Sequence, residues 1–145
     1  MPKRKEFRFI GNVSTKTIQG YKQLAKTGKL VVITKSMKDV MCLYSLGIPA
    51  IAPNSETQFV SDKVLEELKQ RFKYIVLLYD NDLTGVRFTN KIRKQHPELI
   101  VSMIPRNTGA KDISDYYRDY GRKATQELIK LTIDKFKRNG ILRSN

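Results

Sequence analysis

The chain has 145 residues, 28 of them Lys or Arg and 14 Asp or Glu, for a formal net charge of +14. That length holds one hydrophobic core and no second independent one, and the charge points to a polyanionic partner, with nucleic acid ahead of an anionic membrane surface. One cysteine, Cys42, and one histidine, His96, exclude an internal disulfide and a multi-cysteine zinc site and leave imidazole chemistry little to work with.

The opening MPKRKEF lacks the apolar core of a signal peptide, and no apolar stretch approaches spanning length, so the expected setting is cytoplasmic, with no membrane partner. Residues 7–24, FRFIGNVSTKTIQGYKQL, fit a strand and a turn. KLVVIT (29–34), rich in β-branched residues, predicts a buried strand. SMKDVMCLYSLG (36–47) follows as a helix, with Met37, Val40, Met41, Tyr44 and Leu46 at mostly helical spacing before a terminating glycine. A short second strand is expected over IPAIAP (48–53). VSDKVLEELKQRF (60–72) opens on the N-cap residue Ser61 and sets Val64, Leu65, Leu68 and Phe72 on one face of a helix. The third strand covers 74–79. A basic helix over 85–97 is stopped by Pro97, a fourth strand covers 99–105, and a long helix runs over 123–140 to Gly140.

Strands separated by helices of this length require parallel crossovers. The expected fold is α/β: a four-stranded parallel sheet, doubly wound, with helices on both faces. Sites in such sheets form at the carboxyl ends of the strands. The segments to read for chemistry are therefore 34–39, 54–57, 80–82 and 106–115. The third is Asp80-Asn81-Asp82, which follows the apolar YIVLLY and precedes Gly85. Two carboxylates at i and i+2 where a chain turns stay ionised cheaply only with a cation between them or with separate access to water. Magnesium fits the first case, since it accepts one or two carboxylates and keeps waters for phosphate. In the second, Asp82 caps the helix that begins near Leu83 or Thr84.

LVVITKSMKDVMCLYSLGI, YIVLLYDNDLTG and KDISDYYRDYG together resemble the Toprim domain of DNA primases, particularly those of phages and mobile elements. The resemblance implies a Rossmann-like Toprim core over 29–121. It would be preceded by a basic segment, 1–28, left from an earlier subdomain, and followed by a helix, 122–145, packed on the core. It also implies a glutamate after the first strand, an Asp-x-Asp after the third, and magnesium or manganese bound by these acids for chemistry on phosphodiesters. Asp80 and Asp82 match the Asp-x-Asp, and Lys111, Asp112 and Asp115 look like the segment after the fourth strand. The departure is Lys35, which stands where the glutamate is expected and leaves only Asp39 in common. A lysine there suits a phosphate or a developing charge, and Glu56, one strand away, is the residue that would compensate.

The candidate catalytic residues are accordingly Lys35, Glu56 and Asp80, and the metal ligands Asp80, Asp82 and Glu56. Lys35, Lys38, Arg87, Lys91, Arg106 and Lys111 are expected at phosphates, with Lys94 continuing the helical track of Arg87 and Lys91, and Asp39, Asp112 and Asp115 support the acidic centre. Tyr116, Tyr117 and Tyr120 are expected to pack on the sheet rather than on bases. The resemblance implies RNA primer synthesis from nucleotides on single-stranded DNA, together with other primase or helicase domains. A small Toprim nuclease and a non-catalytic nucleic-acid-binding module are the alternatives.

Overall fold

The computed structural model describes residues 18–53 and 59–144. Two strands carry the core. β1 (Gly28–Thr34) and β3 (Phe72–Leu78) pair in parallel from Gly28 opposite Phe72 to Thr34 opposite Leu78. Two short strands flank them, β2 (Ala50–Ile51) beside β1 and β4 (Ile100–Val101) beside β3, giving the order β2-β1-β3-β4 with every pair parallel. This is the four-stranded doubly wound sheet expected from the pattern.

Both central strands are apolar at successive positions because both of their faces are covered. Val32, Tyr74, Val76 and Leu78 join a core with Val40 and Leu43 of α1 (Met37–Ser45) and with Ile113, Ile129 and Ile133 of α4 (Ile113–Ser144). Val31, Ile33, Ile75, Leu77 and Tyr79 turn the other way. They meet Val64, Leu65 and Leu68 of α2 (Asp62–Arg71) and Ile92 of α3 (Leu83–Gln95).

Several boundaries differ from the sequence pattern. β2 covers two residues of an expected six; Pro49 and Pro53 bracket it and offer no N–H to a ladder. β4 is also short, although Ser102 N still donates to Leu77 O at 2.9 Å before the chain reaches Pro105. β3 starts at Phe72, which therefore packs from a strand and not from the end of α2. The Arg71 guanidinium fixes that junction, donating to Ala25 O at 2.7 Å and Lys26 O at 3.0 Å. Met41, expected on the buried face of α1, is exposed, whereas Leu43 is fully buried. The strand and turn expected over 7–24 lie largely outside the described residues; within them, Gln19 bridges Ala52 in antiparallel fashion and Tyr21–Gln23 form one 3-10 turn.

The C-terminal helix begins ten residues earlier than the sequence periodicity indicates and breaks at Gly121, with φ 89° and ψ 179°. Its first segment packs Tyr116 and Tyr117 against the core, while Tyr120 is exposed and donates its hydroxyl to Thr108 O at 3.0 Å. Only glycine adopts the Gly121 conformation without strain, although its surroundings would accommodate a methyl group. Gly121→Ala should therefore lower unfolding free energy by about 1–3 kcal/mol through backbone strain alone. Chemical denaturation would measure the loss, and an unchanged midpoint would mean that the bend is not fixed by this residue.

Candidate functional site

β1 hands the chain to α1 and on to β2 on one side, and β3 hands it to α3 and on to β4 on the other. The two connections therefore part at the carboxyl ends of β1 and β3 and leave a crevice between them. Lys35, just past β1, and Asp80, just past β3, face each other across it, with Nζ 2.9 Å from Oδ2. The Asp80 side chain is 4% exposed and that of Lys35 27%. The neighbours of Lys35 fix its backbone: the Thr34 hydroxyl donates to Leu78 O at 2.7 Å, and Ser36 caps α1.

Asp82 takes the role of helix cap. Its Oδ1 accepts from Gly85 N at 2.8 Å, and its Oδ2 lies 3.3 Å from Lys111 Nζ. The Gly85 hydrogen bond, followed by Lys111, holds the Asp82 carboxyl below the usual carboxylate range. Gly85 lets α3 start directly against Asp80, since a Cβ there would collide with Asp80 O.

Asn81 joins this turn to the loop after β4. Its backbone N–H donates to Lys111 O at 3.0 Å, and its side-chain amide donates to Ala110 O at 2.8 Å and Ile104 O at 3.3 Å. That latch carries Asp112 to Asp80. Asp112 Oδ1 accepts from Asp115 N at 2.9 Å at the start of α4, and its Oδ2 lies 3.4 Å from Lys38 Nζ. Asp39 enters from the first turn of α1, buried and held by the hydroxyls of Ser36 at 3.2 Å and Ser114 at 2.6 Å.

Asp39, Asp80 and Asp112 thus each offer an oxygen within 4.8 Å of the others. Three hard anionic donors and no nitrogen or sulfur suit magnesium or manganese rather than zinc or copper. Of the expected ligands Asp80, Asp82 and Glu56, Asp80 stands in this cluster, Asp82 caps α3, and Glu56 lies outside the described residues. Asp39 and Asp112, expected only to support the centre, belong to its core. Asp115 is set apart, its Oδ2 accepting from Lys111 N at 3.3 Å and its Oδ1 pairing with Arg118 at 3.3 Å. Asn81 and Ser114 escaped the sequence reading. The available signals were a polar residue between two aspartates and a hydroxyl at the start of a helix.

On the α3 side of Asp80 lies a cleft of about 130 Å³, lined by Lys35, Tyr79, Asp82, Phe88 and Lys111 among others. Farther along α3, Arg87, Lys91 and Lys94 line a groove of about 360 Å³ with Asn90 and Gln95. Arg106, in a 3-10 turn after β4, is exposed and outside both. The site thus has carboxylates at its centre and cations along its outer edge.

A model of the Toprim-like family matches residues 32–117, from β1 through the acidic centre to Tyr117. The DNA primase of Enterococcus faecalis (strain ATCC 700802 / V583) is 26% identical over 117 residues, which are 75% of this chain and 18% of that protein. The chain therefore spans under a fifth of the length of that curated relative. The primase fragment of the bacteriophage T7 primase-helicase protein superposes with a TM-score of 0.51 at 16% identity, over 85% of this chain and 51% of that one. A second solved chain gives 0.53 at 18% identity, over 75% and 56%. It comes from a complex of T7 lagging-strand DNA polymerase with the primase domains of two gp4 subunits, bound to an RNA/DNA hybrid and dTTP. At these identities the structural likeness is one of fold.

Burial pushes the Asp39 carboxyl above the usual carboxylate range, and the charges of Asp112 and Asp80 add to the shift while the hydroxyls of Ser114 and Ser36 oppose it. A carboxyl raised in the folded state stabilises the fold while protonated and loses that contribution as pH rises through its shifted value. In metal-free buffer at pH 7, Asp39→Asn should thus melt a few degrees above the parent, and the gain should vanish below about pH 4, where both states are protonated. A gain that persists unchanged in acid would mean that charge is not its cause.

Proposed function

The chain belongs to the Toprim-like family, and from that premise we propose that it is the metal-binding catalytic domain of a DNA primase of the phage or mobile-element type. It binds nucleotide and single-stranded DNA and makes RNA primers by nucleotidyl transfer. The observation that carries this reading is the meeting of Asp39, Asp80 and Asp112 at the crevice between β1 and β3, with ammonium groups beside them. Magnesium or manganese held by these three residues would supply Lewis-acid charge to a phosphoryl oxygen.

The protein's own groups have separable tasks. Lys35 and Lys111 line the cleft beside Asp80 and bind phosphate oxygens of the incoming nucleotide. Asp82 and Gly85 hold the first turn of α3 against that cleft. Arg87, Lys91 and Lys94 follow the backbone of the template strand, with Arg106 as an outlying contact. Match to so small a share of the primase relative supports a domain that works with further primase or helicase domains. Among the described residues, no helix is long and apolar enough to cross a membrane.

A nucleic-acid-binding module without chemistry is the second reading, and the Lys35–Asp80 ion pair favours it, because a lysine can neutralise an acidic site that no longer turns over. Primer synthesis with partner domains supplied would sink that alternative.

Millimolar magnesium should raise the melting temperature by mass action, by an amount equivalent to about 2.7 kcal/mol at a hundredfold excess over its dissociation constant. Asp80→Asn combined with Asp112→Asn should abolish the rise, while Asp82→Asn should lower stability and keep it. Loss of the rise only in the Asp82 variant would move the metal to the other side of Asp80.

Affinity for single-stranded DNA should fall steeply with salt. Removing Arg87 and Lys91 together should flatten the logarithmic slope by up to about 1.4 units, on the order of 0.7 per neutralised phosphate. An unaltered slope would take α3 out of the interface.

A further inference from the structure

Asp80 takes part in two arrangements of charge. Its carboxylate meets those of Asp39 and Asp112. Its Oδ2 also lies 2.9 Å from Lys35 Nζ, and both residues line the cleft shared with Lys111 and Asp82. A carboxylate that serves a pair of divalent ions lends an oxygen to each. Here one of the two oxygens already faces a positive charge supplied by the chain.

We infer that Lys35 takes the place of a second divalent cation, so that the centre binds a single ion and the ammonium is the other positive pole offered to a phosphoryl group. The inference rests on the metal-binding reading above and specifies its stoichiometry.

The ion pairs around the crevice support it. Lys35 pairs with Asp80, Lys38 with Asp112 and Lys111 with Asp82, while Asp39 is hydrogen-bonded by hydroxyls. A second divalent ion on Asp80 would stand against the ammonium already there, in a partly buried site where like charges repel strongly.

The position of Lys35 is also built. Thr34 ties the preceding residue to β3, Ser36 caps the following helix, and most of the Lys35 side chain is shielded. An ammonium held this way is presented with little ordering left to complete, unlike a solvated surface lysine.

The test is a manganese titration of the full chain, read by calorimetry and by the electron paramagnetic resonance of free manganese, with thermal melts to verify folding. The parent should bind one ion per chain. Lys35→Glu should bind two, or one at least about tenfold more tightly, because the competing charge becomes a ligand. Lys35→Gln removes the charge without adding a carboxylate and serves if the glutamate variant does not fold; it should keep one ion and bind it several-fold more tightly. Two ions on the parent, or parental affinity and stoichiometry in a folded Lys35 variant, would overturn the inference and leave the metal-binding reading intact. No manganese on the parent would overturn both.

Discussion

Gathering Asp39, Asp80 and Asp112 within 4.8 Å of one another, the first two almost fully buried, costs free energy that the rest of the fold has to offset. Most of the local arrangement can be understood as that offset. Hydroxyls of Ser36 and Ser114 meet Asp39, ammonium groups meet Asp80 and Asp112, and the amide groups of Asn81 hold the loop that brings the third carboxylate in. The sheet contributes rigidity. Its two central strands end side by side, are apolar on both faces and cannot separate without opening two cores at once. The same burial that fixes the carboxylates lifts the Cys42 thiol to about 11, with Asp39 and Asp112 adding to the rise, so this cysteine stays a neutral packing group beside the centre.

The central strands and α1 to α3 were legible because their apolar residues follow the local periods of strand and helix. Val31 to Ile33 and Ile75 to Leu78 are continuous apolar runs, and Ser61 announces a helix start that the structure realises as its hydroxyl accepts from Val64 N. The edge strands were less legible because prolines and long-range packing, not local propensity, limit them. The first segment of α4 was hidden by its polar composition. Ile113, Tyr116 and Tyr117 carry its helical spacing, but charged residues surround them and Gly121 interrupts the pattern.

The site was legible in its location and less so in its membership. A carboxylate pair after a buried strand marked Asp80 and Asp82, yet the chain turns into α3 between them, so one joins the centre and the other caps the helix. Asp39 and Asp112 lie on opposite sides of the sequence from that turn, and only the register of the parallel sheet with the Asn81 latch makes them neighbours. Local spacing carries no information about such a meeting. The Lys35 substitution was visible at once, but its partner was not, because pairing with Asp80 depends on β1 and β3 being adjacent rather than consecutive.

The Asn81 latch has a consequence for the order in which the molecule assembles. It links the end of β3 to a loop that is positioned only after β4 has docked, while Ser114 reaches Asp39 across a sequence separation of 75 residues. Contacts of such long range require the loops they close to have lost their freedom, so the acidic centre is complete only where the sheet and the loop after β4 are both in place. A nascent or partly folded chain has neither the clustered negative charge nor the geometry to retain a divalent ion. A cation held by these carboxylates would thereby be confined to molecules whose four strands are already in register.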